Sequence, residues 1–323
     1  MLEHGGRLRS AAQRYGIPLG EWVDLSTGIN PQAYPVPALA PEVWHRLPED
    51  DDGLEAAAAA YYGSPELLPV AGSQAAIQTL PACFPPGRVI TLAPTYAEHP
   101  HAWRGHALQA LPAERIDAAV RHADTLLLVQ PNNPDGQHFT RQQLLAWQED
   151  LAGRGGRLIV DEAFLDADPA DSLVPLAGRP GLVVLRSVGK FFGLAGARVG
   201  FVFAEAALRA QLASRLGPWA VSGPARAVTA AALADRAWQH AARERLVADS
   251  RRLAALLDRS GLSGGAGTAL FQWRPTLRAV DIHARLAEQG ILTRLFETPS
   301  SLRFGLPGNE TEWSRLAAAL GRL

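Results

Sequence analysis

The sequence predicts an α/β fold, with a large domain built on a mostly parallel, doubly wound sheet and a smaller α+β domain. Three observations carry that expectation. Five short apolar runs, Arg88 to Ala93, Thr125 to Gln130, Arg157 to Val160, Leu182 to Val188 and Val199 to Ala204, lack polar alternation and are mostly rich in Val, Ile and Leu, as strands covered on both faces are. Helical stretches separate them, and alternating strand and helix implies parallel strands joined by crossovers. Polar residues able to do chemistry follow directly after the runs, where ligands collect in open α/β sheets.

Taken in order, Glu55 to Tyr62 reads as an alanine-rich helix and Ser73 to Leu80 as another. Thr140 to Gly153 carries Leu144, Leu145 and Leu151 on one side of a helix. Only about ten residues separate the Leu182 run from the Val199 run, too few for a parallel crossover, so that pair is expected to be antiparallel. From Pro224 a helical pattern continues through Leu257, followed by a Gly261 to Gly267 turn. Ala269 to Trp273 and Ser301 to Phe304 then read as strands flanking a helix, Val280 to Gln289. The expected organisation is an N-terminal segment, 1–40, packing with the small domain, a large domain over 41–218 and a small domain over 219–323.

The 323 residues suffice for such a pair of domains, and a net charge of −1 gives no electrostatic footprint for nucleic acid or an acidic membrane surface. No run of eighteen apolar residues appears, and the N-terminus lacks an apolar signal core. The single cysteine, Cys83, excludes an intrachain disulfide and cysteine-based clusters and fits a reducing cytoplasm. His99, His101 and His106 read as solvated loop histidines, with no metal expected. Gly265-Ala266-Gly267 begins like a dinucleotide loop, but Leu270 stands where the third glycine is needed.

The residues after the apolar runs are Pro94-Thr95-Tyr96, Pro131-Asn132-Asn133-Pro134-Asp135-Gly136, Asp161-Glu162-Ala163-Phe164, and Ser187 with Lys190. Ala71-Gly72-Ser73-Gln74 opens a helix, where free N–H groups and the helix dipole favour an anion. The segment Ser187 to Gly200 sets a hydroxyl, Lys190 and Arg198 among glycines. A lysine amine becomes nucleophilic when burial or a neighbouring cation favours its neutral form, and Arg198 is placed to be that cation.

These segments closely resemble the pyridoxal-phosphate enzymes of fold type I, the aspartate aminotransferase-like group. The resemblance implies Lys190 as the coenzyme lysine, Asp161 as the carboxylate for the pyridine nitrogen, Asn133 as donor to the ring phenolate, and Tyr96 stacked on the ring. Gly72, Ser73, Gln74, Ser187 and Arg198 would form the phosphate cup, and Ala163 would also contact the coenzyme. Lys190, Asp161 and Tyr96 are the implied catalytic residues.

Further segments, His4-Gly5-Gly6, Leu25 to Pro31, Leu47-Pro48-Glu49 and Pro94 to His99, extend the resemblance over nearly the whole chain. They place it with the histidinol-phosphate aminotransferase group, and within that group with the threonine-phosphate decarboxylases of cobalamin biosynthesis. A homodimer and a small phosphorylated amino acid substrate are implied. Arg303 matches the family's arginine for the substrate carboxylate, Arg294 is a candidate for the substrate phosphate, and His4, Asn30 and Asn133 are further candidates for substrate contact. Arginine suits such a substrate because its planar fork binds carboxylate and phosphate bidentately.

Two departures stand out. Leu47 replaces a tyrosine that reaches the partner subunit's coenzyme phosphate in related enzymes, and Phe164 replaces a frequent tyrosine donor to the phenolate. The implied activity is decarboxylation of L-threonine O-3-phosphate. The alternatives are transamination of histidinol phosphate or another amino acid, and a non-catalytic regulatory module.

Overall fold

The computed structural model describes residue 2 and residues 4–323. Thirteen strands follow along the described residues: β1 (Val23–Asp24), β2 (Leu67–Val70), β3 (Arg88–Leu92), β4 (Ala107–Leu111), β5 (Thr125–Val129), β6 (Arg157–Asp161), β7 (Leu182–Ser187), β8 (Gly200–Phe203), β9 (Ala266–Thr268), β10 (Phe271–Pro275), β11 (Ile291–Leu292), β12 (Arg294–Phe296) and β13 (Ser301–Gly305). They fall into two compact units.

The larger unit comprises residues 34–133 and 137–241. Its seven-stranded sheet has the order β2-β8-β7-β6-β5-β3-β4. All five apolar runs are strands here, and β8 is antiparallel to both β7 and β2 while the rest pair in parallel. The central strands β5 and β7 are buried at every position, whereas the edge strand β4 is mostly exposed. The other edge strand, β2, carries Pro69, which an edge tolerates because its missing N–H breaks no ladder. One core cluster joins Val70, Ala76, Ile77, Leu127, Ile159, Val183, Leu185 and Val202, packing helix Ser73–Thr79 on the sheet. Helix Arg141–Gly153 opens with a capping box, Thr140 Oγ1 accepting the Gln143 N–H at 3.2 Å while Gln143 Oε1 accepts the Thr140 N–H at 3.0 Å.

The helical pattern from Pro224 is two helices, Gly223–Ala234 and Arg236–Arg259. Asp235 breaks it by leaving helical geometry and accepting the Trp238 N–H at 2.9 Å. The first of these helices belongs to the larger unit, where it buries Ala225, Arg226, Val228, Thr229, Ala232 and Leu233. The unit therefore runs to Ala241, past the expected limit at 218.

The smaller unit gathers the described residues up to 33, together with 134–136 and 242–323. Its four-stranded antiparallel sheet has the order β12-β13-β10-β9, and β1 pairs in parallel with β11. Ala11, Trp22, Ala287 and Leu292 form a second core there.

Candidate active site

The larger unit brings most of the expected residues to the carboxyl ends of its strands. Asp161 closes β6 at 3% exposure, its Oδ1 accepting the Ala163 N–H at 3.1 Å and its Oδ2 lying 2.9 Å from His99 Nε2. A carboxylate only accepts, so His99 carries a proton on Nε2 in this contact. His99 is 1% exposed, on the short helix Glu98–Ala102. This corrects its reading as a solvated loop histidine. Its place three residues after Tyr96 puts the ring behind the strand ends, and Tyr96 meets it edge-on at 6.1 Å. His101 is exposed and contacts Arg104, as a surface histidine does.

Lys190 sits in the turn after β7, its Nζ 5.6 Å from the centre of the Phe164 ring. The ring's negative face attracts an ammonium, and Phe164 is itself buried. Ser187, at the end of β7, accepts the Gly189 N–H on Oγ at 3.3 Å. Arg198 adopts the left-handed conformation at φ 55°, rare for a side chain of this size, and its Nη1 donates to Ala195 O at 3.3 Å. Its guanidinium lies against Gly72. Gly72 has φ 75°, so its backbone requires glycine, and a Cβ there would come within 2.7 Å of Arg198 Nη2 and push the guanidinium aside. The result is an exposed cation over the turn that opens helix Ser73–Thr79.

Side chains from the neighbouring turns brace this cluster. Gln74 accepts the Tyr96 hydroxyl at 3.4 Å and donates to Glu98 at 2.7 Å. Asn132, fully buried, accepts from Thr95 Oγ1 and donates to Pro94 O, both at 2.9 Å. That pair ties the turn carrying Tyr96 to the one carrying Asn133. Neither Thr95 nor Asn132 stood out in the sequence beyond its place in those turns.

In the smaller unit, Ser26 is a hub. Its Oγ donates to Asp24 at 2.6 Å and accepts the Gly6 N–H at 2.8 Å, and its carbonyl accepts from Arg303 Nη2 at 3.0 Å. Gly5, following His4, packs so closely that a Cβ would sit 2.1 Å from Ser26 O. Arg303 is 7% exposed, with its guanidinium carbon 5.0 Å from the Phe271 ring centre. Arg294 on β12 is the direct cross-strand partner of Arg303 on β13. Asn30 is buried, its Oδ1 accepting from the Gln32 N–H at 3.0 Å and Arg245 Nη2 at 3.3 Å.

A lysine amine after β7 and a buried carboxylate–histidine pair after the neighbouring β6, with an arginine over a glycine turn, can hold a phosphorylated carbonyl compound and move protons at it. The chain belongs to the aminotransferase class I and II family, which matches residues 30–320. More particularly, it is 55% identical to a threonine-phosphate decarboxylase of Pseudomonas aeruginosa, covering 99% of this chain and 97% of that one. It is 40% identical to a threonine-phosphate decarboxylase of Sinorhizobium sp, covering 100% and 98%. Its fold is similar to that of the histidinol-phosphate aminotransferase from Sinorhizobium meliloti in complex with pyridoxal-5'-phosphate, with a TM-score of 0.84 at 20% identity over 99% of this chain and 95% of the other.

Proposed function

We propose that this chain is a pyridoxal-phosphate-dependent lyase that decarboxylates L-threonine O-3-phosphate to (R)-1-amino-2-propanol O-2-phosphate in cobalamin biosynthesis. Full-length similarity to threonine-phosphate decarboxylases supports the reaction. The observation in the structure that carries the substrate class is the pairing of Arg294 directly opposite Arg303. Direct cross-strand partners extend from the same face of adjacent strands, so the pair offers two guanidinium groups on one face, and arginine binds carboxylate and phosphate alike.

The residues present fit pyridoxal phosphate. Lys190 supplies the amine, Arg198 with the Gly72–Ser73–Gln74 turn and Ser187 supplies the phosphate cup, and Asp161 backed by His99 supplies the carboxylate for the ring nitrogen. Ala163, Asn133 and Tyr96 complete the set, Asn133 as the phenolate's donor in place of the hydroxyl that Phe164 lacks. When bound, the coenzyme supplies an electron sink for the pair left on the substrate's α-carbon as CO2 departs.

The chain's own residues determine which bond breaks. Arg303 binds the α-carboxylate and Arg294 the phosphate, and gripping both ends of a small substrate fixes which α-carbon bond is aligned for cleavage, an orientation effect worth several kcal/mol. Lys190 is the group that would return a proton to the α-carbon. Phe164 packs under its Nζ and limits the positions that the amine can take. His4 and Asn30 are further candidates for substrate contact.

A homodimer is part of the same proposal. Val36, Trp44, Leu47 and Trp219 are each more than half exposed in the larger unit, apolar side chains that a second copy would cover. Leu47 contributes only apolar area there. A cytoplasmic location is proposed from the single cysteine.

The deciding experiment supplies threonine phosphate with no 2-oxo acid acceptor. CO2 and aminopropanol phosphate are expected over many turnovers, whereas an aminotransferase stops after one half-reaction. Steady transamination of histidinol phosphate without CO2 release would overturn the assignment.

A further inference from the structure

Directly behind the candidate coenzyme residues lies a buried ionic cluster that the proposed chemistry does not use. Arg186 is 1% exposed, and its Nη1 donates to Glu162 Oε2 at 2.8 Å and its Nη2 to Asp166 Oδ1 at 2.9 Å. Both carboxylates are fully buried. Glu162 also accepts from Ser172 Oγ at 2.6 Å and from the Leu173 N–H at 2.8 Å. Asp166 accepts from Tyr61 Oη at 3.0 Å, and the guanidinium stacks on the Tyr62 ring at 4.7 Å.

The placement follows from strand geometry. Successive side chains on a strand point to opposite faces. Asp161 and Leu185 are register partners on β6 and β7, and the Glu162 N–H continues the ladder onto Leu185 O at 2.9 Å. Asp161 and Ser187 therefore share one face of the two strand ends, and Glu162 and Arg186 share the other. Each coenzyme-facing residue is the chain neighbour of a cluster residue. The bridge from Arg186 to Glu162 and Asp166 locks the end of β7 to both the start and the finish of the segment that carries Asp161, Ala163 and Phe164.

The cluster reaches Lys190 by a second route. Tyr61, whose hydroxyl holds Asp166, packs its ring 5.6 Å from that of Phe192, two residues past Lys190. Phe192 is fully buried and stacks on Trp238 at 5.6 Å. Phe164, under the Lys190 amine, lies between Glu162 and Asp166 in the chain.

We propose that Arg186, with Glu162, Asp166 and Tyr61, is a positioning cluster that sets the separation and orientation of Asp161 and Lys190 from behind the sheet. These residues touch neither coenzyme nor substrate, and act only through the strand ends that they join. A buried ion pair is a poor way to gain stability alone, because desolvation offsets the attraction, and its best-attested use is to select one arrangement. Displacing a reacting group by about 1 Å can lower a rate by about a hundredfold. The inference rests on the reading of Lys190 and Asp161 given above.

The test uses the holoenzyme and three variants, Arg186→Met, Glu162→Gln and Tyr61→Phe, with Arg186→Lys as the conservative rescue. Glu162→Gln keeps its shape and one acceptor oxygen, which can serve the Leu173 N–H while its NH2 faces Arg186, and Tyr61→Phe removes one hydroxyl, so both keep the question answerable if Arg186→Met does not fold. The expected result is a fall in kcat for threonine phosphate of about tenfold or more for Glu162→Gln, smaller for Tyr61→Phe, with KM within about twofold. The pH at which the visible band of the Lys190-bound coenzyme changes should move in the same variants, and Arg186→Lys should recover part of both losses relative to Arg186→Met. A lowered thermal midpoint with kcat and band unchanged would overturn the proposal and leave the cluster a structural tie. Lys190→Ala separates the two readings: full turnover in that variant would remove the site assignment itself, and the positioning proposal with it.

Discussion

The larger unit contains two arginine triads of the same composition and opposite character. Arg186 meets Glu162 and Asp166 with all three side chains at 1% exposure or less. Arg226, on helix Gly223–Ala234, meets Asp52 and Glu55, whose side chains are 32% and 28% exposed. In the first triad burial dominates, and it pushes the Glu162 carboxyl above its usual range despite the nearby Arg186. In the second, partial burial would also push the Asp52 carboxyl up, but hydrogen bonds from Arg226 and the Leu54 N–H outweigh it and hold the group below its usual range. Water decides the sign. A triad that keeps solvent at its carboxylates gains from pairing, whereas one sealed behind a sheet depends on every partner remaining in place.

The largest effect should come from opening the sealed triad. Arg186→Ala leaves two buried carboxylates without their cation, and a loss of about 3–5 kcal/mol in unfolding free energy is expected, measured by denaturant titration. A change below about 1 kcal/mol would show that water already reaches the cluster.

Arg303 sharpens the contrast, because it is buried like Arg186 but faces Ser26 O, Phe271 and, across the strands, another arginine. If it binds the substrate carboxylate, Arg303→Ala should lose about 2–5 kcal/mol of transition-state binding in kcat/KM while the coenzyme spectrum is retained. Arg294→Ala should abolish most of the preference for threonine phosphate over threonine. Unchanged discrimination would assign the substrate phosphate to another group, with His4 and Asn30 the next to test.

How much of this was legible in the sequence follows the same division between sealed and wet. The five strands buried on both faces declared themselves as apolar runs, and the residues after them marked the site, because position at a strand's carboxyl end needs no side-chain detail. The edge strand β4, mostly exposed, left no such run. His99 was misread because a histidine in a short Glu-His-Pro-His stretch looks solvated until the fold sets it against Asp161. The Arg186 triad was invisible for a related reason: Glu162 and Arg186 lie 24 residues apart, and nothing local says that a charge just after one apolar run will meet a charge inside another. Ser26, the hub of the smaller unit, lay within a segment noted only for family likeness.

The Arg226 triad offers the corresponding weaker break. Arg226→Ala should cost about 1–2 kcal/mol, since its hydrogen bonds are charge-assisted but its carboxylates can turn to water. Its kcat should stay within about twofold of wild type. A loss of turnover as large as that expected of Glu162→Gln would erase the distinction between a triad that positions the site and one that does not.

Asp52→Asn should have the smallest effect and the most diagnostic pH dependence. The folded-state pKa of Asp52 is depressed, so its contribution is present above the unfolded value, near 3.8, and is lost as pH falls through the folded value. Screening by water limits that contribution to about 1 kcal/mol or less. Wild type should therefore exceed Asp52→Asn in stability at pH 7, and the gap should narrow below about pH 4 as the carboxylate that pairs with Arg226 takes up its proton. Glu162→Gln should differ from wild type in the opposite sense. With the folded-state pKa raised, the wild-type glutamic acid is favoured at low pH and loses ground as pH rises through the folded value, so glutamine should compare better with wild type as pH increases. Unfolding free energies for the two variants, measured between pH 3 and pH 8, should thus slope in opposite directions relative to wild type. Parallel slopes would mean that burial does not separate the two triads.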